Sequence, residues 1–460
     1  QPLADLLPAC ETEACIHFLT EIILSQELDK DRVDVFLWSL ALIREPTAPM
    51  VAAVTALLKS PDTRAQAFLG VSSLVHNFCS KNDRCQVIPE VQEIMKILEG
   101  YVQGKCRARD PAEKEKVLMS LKAIGNAGLA ASAQIPTLNK CVQSKTNLLD
   151  VRLAAIDAFR RIPCKADRTV LVQLYQTADE DVELRIASYY MLMKCPSAQL
   201  FETVGLTLRN ERSSQVGSFV WSHLTQLMET NDPLKQQIKE ALPNYIISKD
   251  FELEQWKYSS YMDATFQSGP FLIGANAEAA LVFAPRSFLP RSAMANFTIH
   301  VMGYAVNLFE VGLRVENAEH LIQKIFGHKH APFMDSPKNM KNSGKKWKMK
   351  NPSKAPVQAV GKKGAVQRHA ISKVTATKQQ VEKPRLQKAN HSCHNVDYNR
   401  IYEIEAQFAK RMAKKKKKLT CGLSVKIFGN ELSFIDCSTM RTQIKQYSLD
   451  MAEIAIKLLK

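Results

Sequence analysis

Across the first 245 residues the apolar positions recur at helical spacing. Val33, Phe36, Leu37, Leu40 and Ile43 form one stripe and Val91, Ile94, Met95, Ile97 and Leu98 another, the rhythm of a helix that buries one face. Stop signals break the pattern at Pro46, Ser60-Pro61-Asp62, Asp110-Pro111, Pro163, Pro196 and Asn231-Asp232-Pro233, where Pro suits helix starts. About a dozen helices of roughly 10–14 residues follow. Segments opening at Ala123, Ala155, Ala187 and Phe219 lie 32 residues apart. A two-helix period of that size predicts an α-solenoid, in which each hairpin buries its apolar face only against its neighbours.

From Ala293 to Val315 the period changes to two. Odd positions include Ala293, Ala295, Phe297, Ile299, Val301, Ala305, Asn307, Phe309, Val311, Leu313 and Val315, and even ones Ser292, Asn296, Thr298, His300, Glu310 and Arg314. This alternation predicts strands with one nearly unbroken apolar face, folded as a hairpin bent near residues 303–307. Phe271-Leu272-Ile273 and Ala280-Leu281-Val282-Phe283 read as further strands, separated by Gly274 and Ala275-Asn276. An apolar face of this kind packs on another layer or lines a lipid cavity. Asn296-Phe297-Thr298 is a glycosylation sequon with Asn296 on the more polar face, where a glycan has room.

Charge changes the picture only locally. The chain carries +16, but residues 331–420 hold 23 of the 62 basic groups and 5 of the 46 acidic ones, which leaves the rest with 39 against 41. Basicity therefore belongs to an insert over 331–420 that reads as largely disordered, and nucleic acid is not an expected partner. Within it, Lys345, Lys346, Lys348, Lys414, Lys415, Lys416, Lys417 and Lys418 form a polyanion patch suited to heparin-like glycans or anionic headgroups. The 46% hydrophobic content supports a substantial core elsewhere. No apolar run is long enough for a transmembrane segment. Of the 11 cysteines, Cys10 with Cys15 and Cys79 with Cys85 fall close together; such pairs suit disulfides across short loops or buried thiols in a reduced chain. No phosphate loop, nucleophile elbow or paired His at metal spacing occurs, so neither an enzyme nor a metal or cofactor site is expected. His391, Cys393 and His394 lack a second ligand pair.

Several words of the sequence are similar to those of one family. Ala123-Ile124-Gly125-Asn126-Ala127-Gly128, Lys140-Cys141-Val142-Gln143-Ser144, Tyr190-Met191-Leu192-Met193-Lys194-Cys195-Pro196-Ser197, Leu281-Val282-Phe283-Ala284-Pro285 and Ile427-Phe428-Gly429-Asn430-Glu431-Leu432 occur in the order found in the large lipid transfer proteins. That family comprises vitellogenin, apolipoprotein B and the microsomal triglyceride transfer protein, and the resemblance is strongest to the N-terminal region of apolipoprotein B.

The resemblance implies an α + β fold: a two-layer α-helical superhelix over 1–245, then an antiparallel β-sheet forming a lipid-cavity wall. The sheet would start in 246–330 and resume in 421–460 after the insert. It implies disulfides Cys10–Cys15 and Cys106–Cys141, with Cys79–Cys85 as a further local pair, and gives no partner for Cys164, Cys195, Cys393, Cys421 or Cys437. The family's β-barrel would precede Gln1 and the rest of the cavity would follow Lys460, which makes the chain a fragment. The implied function is transport of neutral lipid and phospholipid as cargo in lipoprotein assembly, with a lipid transfer protein as a partner during assembly. Secretion through the endoplasmic reticulum lumen goes with it. Phe297, Ile299, Val301, Phe309, Val311 and Leu313 would face the lipid. The competing reading is a HEAT-like helical-repeat scaffold that binds protein and no lipid.

Overall fold

The computed structural model describes residues 11–61, 63, 65–247, 249–251, 257–268, 273–284, 289–302, 304–316 and 420–436. The helical territory begins with α1 (Glu13–Leu24), α2 (Lys30–Ser39), α3 (Ala48–Lys59), α4 (Ala67–Ser80), α5 (Pro89–Val102) and α6 (Pro111–Ala127). It continues with α7 (Ile135–Gln143), α8 (Leu149–Asp157), α9 (Thr169–Gln176), α10 (Val182–Leu192), α11 (Ala198–Asn210), α12 (Ser214–Glu229) and α13 (Gln236–Ala241). Starts follow local chemistry. Asp110 accepts the Glu113 N–H at the head of α6, where Pro111 leaves no donor unsatisfied, and Ser197 and Ser213 cap α11 and α12 in the same way.

Even-numbered helices from α2 to α12 pack in sequence to make one layer, and α1, α3, α5, α7 and α9 make the other. The 32-residue period of the sequence marks the first of these. Ala123, Ala155, Ala187 and Phe219 fall in α6, α8, α10 and α12, and all but the half-buried Ala187 are sealed in one continuous core. Each helix buries its stripe against its neighbours, as a solenoid requires.

Six strands follow: β1 (Ser260–Ser268), β2 (Ile273–Phe283), β3 (Pro290–Val301), β4 (Tyr304–Glu316), β5 (Thr420–Ile427) and β6 (Asn430–Asp436). They form one antiparallel sheet in sequence order. Strand β5 pairs directly with β4, Phe309 opposite Ile427, so the sheet resumes in register across the long interval.

Three strand expectations need correction. Gly274, Ala275 and Asn276 do not divide two strands but lie inside one continuous β2. They are the small residues of a strand whose inner side is crowded: Asn276 is buried and donates to Thr265 at 2.9 Å. Strand β1 carries no clear signal in the sequence, because Tyr261, Asp263 and Thr265 alternate with Met262, Ala264 and Phe266 without a strong apolar run. The β3–β4 turn lies between Val301 and Tyr304, at the near end of the expected 303–307 bend, while the irregularity further into β4 is a bulge. Phe297 pairs with Phe309 but Thr298 pairs with Asn307, so Leu308 is an extra residue.

Candidate functional site

The bulge decides which face each side chain takes. Beyond Leu308 the parity of β4 reverses, so Val306 and Tyr304 join Phe309, Val311 and Leu313 on one face, and Asn307 and Ala305 go to the other. The odd-position rule therefore misplaces Ala305 and Asn307. Asn307 lies with the polar set, donating to Thr298 Oγ1 at 3.1 Å.

That polar face is turned toward the helices. A row of paired residues crosses it: Asp263, Glu278, Asn296, Glu310 and Lys426. Lys235 bridges Asp263, at 2.6 Å, and Glu278. Burial works against the Glu278 carboxylate, but Lys235, Tyr261 and Asn296 outweigh it and hold its pKa down at about 2. Lys426 sits 2.7 Å from Glu310 and 3.5 Å from Asp157 at the end of α8. Burial disfavours both charges, yet their attraction wins: the Lys426 pKa rises and that of Asp157 falls. Arg314 and Arg291 pair with Glu183 of α10, at 3.0 and 3.4 Å.

The seam is tightest at the β5–β6 hairpin. Phe428 and Gly429 both take positive φ, +49° and +72°, the backbone of a two-residue hairpin turn that glycine adopts without strain. The turn delivers Glu431 into a fully enclosed site between Lys122, which it contacts directly, and Arg160, 3.6 Å away. Asn126 reads the same residue through its backbone: its Nδ2 donates to Glu431 O and its Oδ1 accepts from Glu431 N, each at 2.9 Å. Arg160 reaches Asn126 Oδ1 at 2.6 Å across Gly125, where any Cβ would strike the guanidinium. Arg161 donates to Asn430 Oδ1 at 2.6 Å, and burial followed by repulsion from Arg160 lowers its pKa to about 10. Two of the family words, at 123–128 and 427–432, thus meet at one buried latch. Their contact is not legible in the sequence. Nothing in a linear pattern shows that Asn126 and Glu431, 305 positions apart, are partners.

The opposite face is apolar across the middle of β1 to β5, and Ser433 continues it at the β6 edge opposite Val425. Met262, Ala279, Ala295, Val311 and Val425 form one row across the strands, and Ala264, Ala277, Phe297, Phe309 and Ile427 the next. All six residues expected to face lipid, Phe297, Ile299, Val301, Phe309, Val311 and Leu313, lie on it. Phe297 and Phe309 stack at 5.7 Å. Phe266 is 73% exposed, Ile273 51% and Leu313 49%; among the described residues none covers this face.

Asn296 lies on the more polar face, as its position in the alternation indicates, but that is the covered face. Its Nδ2, the atom a glycan would occupy, donates to Glu278 at 2.6 Å, so room for a glycan there is not what the polar side offers. The Cys79–Cys85 and Cys106–Cys141 disulfides are formed. Cys15 is disulfide-bonded too, whereas Cys10 lies outside the described residues. Cys164 and Cys195, which no family word pairs, form a third bond, and Cys421 is also disulfide-bonded. The sites expected at Lys345, Lys346, Lys348 and Lys414 to Lys418 lie outside the described residues. Among the described residues there is no cluster of potential metal ligands and no helix long and apolar enough to cross a membrane.

Comparison with known proteins places both territories. Residues 1–225 match the family model of the vitellogenin TPR domain, and residues 257–460 that of the vitellinogen open β-sheet. Apolipophorins of Locusta migratoria are 29% identical over 328 residues, 71% of this chain and 10% of theirs. Apolipoprotein B-100 of Homo sapiens is 29% identical over 318 residues, 66% of this chain and 7% of its own. The chain thus spans at most a tenth of the length of these two relatives. A solved structure of lipovitellin, titled for its lipid–protein interactions, superposes with a TM-score of 0.63 at 21% identity, covering 96% of this chain and 38% of that one. The likeness is one of fold.

Proposed function

We propose, for a chain that belongs to the family of vitellogenins, apolipophorins and apolipoprotein B, that its six-stranded sheet holds lipid on the uncovered face while the helical superhelix braces it from behind. One observation carries this reading: the sheet meets the helices through a row of charged and amide side chains, with Tyr261, Ala280 and Val282 packed beside it, and leaves a mostly apolar side uncovered. Ordinary antiparallel sheets do the reverse. Here the inner face is committed to Lys235, Arg314, Lys426 and Glu431, so the outer face has no protein layer of its own among the described residues. A contiguous apolar surface of this extent requires an apolar partner. Acyl chains supply one at about 25 cal/mol per Å² covered, without directed bonds.

Neutral lipids and phospholipids are the cargo this chemistry suits, taken up during lipoprotein assembly with help from a lipid transfer protein. The chain acts as a carrier and not as an enzyme. The eight disulfide-bonded cysteines among the described residues support assembly in an oxidising compartment and secretion through the endoplasmic reticulum. They weigh against the intracellular helical-repeat scaffold, which would keep its thiols free.

Replacing both Val301 and Phe309 by Asp tests the reading. Both side chains stand on the outer face, 38% and 43% exposed, away from the polar row that meets the helices, so far-UV circular dichroism should be unchanged. Lipid extracted from the purified parent protein and quantified by mass spectrometry should fall by half or more. Undiminished lipid with intact helicity sinks the assignment of this face.

A further inference from the structure

Of the three disulfides whose cysteines all lie among the described residues, two are sealed. Cys79, Cys85, Cys106 and Cys141 are each no more than 4% exposed. The third differs. Cys164 is exposed and Cys195 half-buried, and this is the pair for which the family words give no partner.

Its position is also unusual. It joins the loop that follows α8 to the turn that follows α10, a separation of 31 residues between neighbours of the sheet-facing layer. Three residues before Cys164 stands Arg161, which holds Asn430 Oδ1 at 2.6 Å and lies 3.4 Å from Phe428 O. One residue earlier is Arg160, the partner of Asn126 and Glu431, and Asp157, the partner of Lys426, comes before that. The segment that grips the β5–β6 hairpin is therefore tied down at its far end by the accessible disulfide.

We propose that Cys164–Cys195 is a thiol-exchange site through which a dithiol reductant, such as a dithiol oxidoreductase, loosens the hold of the helical layer on the β5–β6 end of the sheet. The reductant's thiolate attacks the exposed Sγ of Cys164, the Sγ–Sγ bond breaks, and the electron pair leaves on Cys195 as a thiolate that takes up a proton. The reductant's second thiolate then displaces Cys164 from the mixed disulfide. Two protein thiols and one oxidised reductant result, and the bond re-forms by the reverse steps. Releasing it removes the covalent tie between the segment after α8 and the turn after α10, so residues 157–161, just before Cys164, lose that anchor.

Limited reduction of the full chain with dithiothreitol, followed by alkylation and peptide mapping, tests the site. Cys164 and Cys195 should be labelled at least tenfold faster than Cys79, Cys85, Cys106 and Cys141. Amide hydrogen exchange on the same sample should rise in 422–436 and 157–161 but not in α3 or α5. The Cys164→Ser/Cys195→Ser variant should show that exchange pattern without reductant. Equal labelling of the buried pairs overturns the proposal, as does selective labelling that leaves protection of the hairpin unchanged. Both readouts come from the natively folded chain, so they decide the matter even if the double variant does not fold.

Discussion

Replacing Glu431 by Ala should destabilise the protein by about 3–5 kcal/mol and release the β5–β6 hairpin from the helices. The carboxylate is fully enclosed and stands between two cations, Lys122 and Arg160. Removing it leaves buried Lys122 with no counter-charge and Arg160 with Asp157 alone, 3.0 Å away, and little water reaches either cation. The loss does not end there, because Lys122 also lies 4.4 Å over the Phe434 ring and Ser424 donates to the same carboxylate at 2.7 Å. Backbone bonds from Asn126 to residue 431 survive the substitution, so the hairpin should keep its turn while losing its anchor. Denaturant unfolding of wild type and variant gives the difference directly. A loss below about 1 kcal/mol, the range of exposed ion pairs, would show that the latch is not structural. Adding Lys122→Met to the variant should recover part of the loss, since a buried pair replaced by apolar groups is far less costly than a half-pair.

Acidification should weaken the same seam steeply, starting well above the carboxylate range. His223 and His76 are held neutral in the fold. Burial, then repulsion from Lys235, lowers His223 to about 3 against the opposing pull of Glu278. Burial, then Arg161 and Arg160, lowers His76 to about 4. His223 packs edge-on against Tyr261 of β1, with ring centroids 4.5 Å apart, and its Nδ1 is 2.8 Å from the Tyr189 hydroxyl. His76 neighbours the two arginines that hold β6. Both ends of the sheet therefore rest on a histidine that refuses a proton.

Below pH 6.5 the unfolded chain binds protons at these positions and the folded chain does not, so stability falls as pH falls. Two such groups give roughly 2–3 kcal/mol per pH unit between pH 6.5 and 4. Glu278 extends the loss: with its pKa lowered from 4.5 to about 2, its contribution is present above pH 4.5 and fades as pH drops toward 2. Urea midpoints measured from pH 7 to 4 should show this slope, and His76→Gln should reduce it by about half. A flat profile between pH 6.5 and 5 is incompatible with buried neutral histidines.

Much of this architecture is written locally. The stripes at Val33–Ile43 and Val91–Leu98, the prolines at Pro111 and Pro233 and the 32-residue period carry the helical layers, because a solenoid is stabilised by contacts between near neighbours in sequence. Alternation along β3 and β4 likewise gives an apolar face, since a strand cannot avoid placing successive residues on opposite sides. What alternation leaves open is which face meets the helices. Habit assigns the apolar side to the interior, and in this protein a row of buried ion pairs joins the sheet to the helices beside Tyr261 and Val282. Only the tertiary structure brings Lys122 and Arg160 to Glu431, Asp157 to Lys426, and Glu183 to Arg314. These pairs lie more than a hundred residues apart, and a charge in a sequence looks the same whether water or a counter-ion will satisfy it. The bulge at Leu308 and the Cys164–Cys195 bond belong to the same class. Each is fixed by a partner strand or loop, and it is the cost of burying unpaired charge that selects, from all faces the sequence permits, the one left bare.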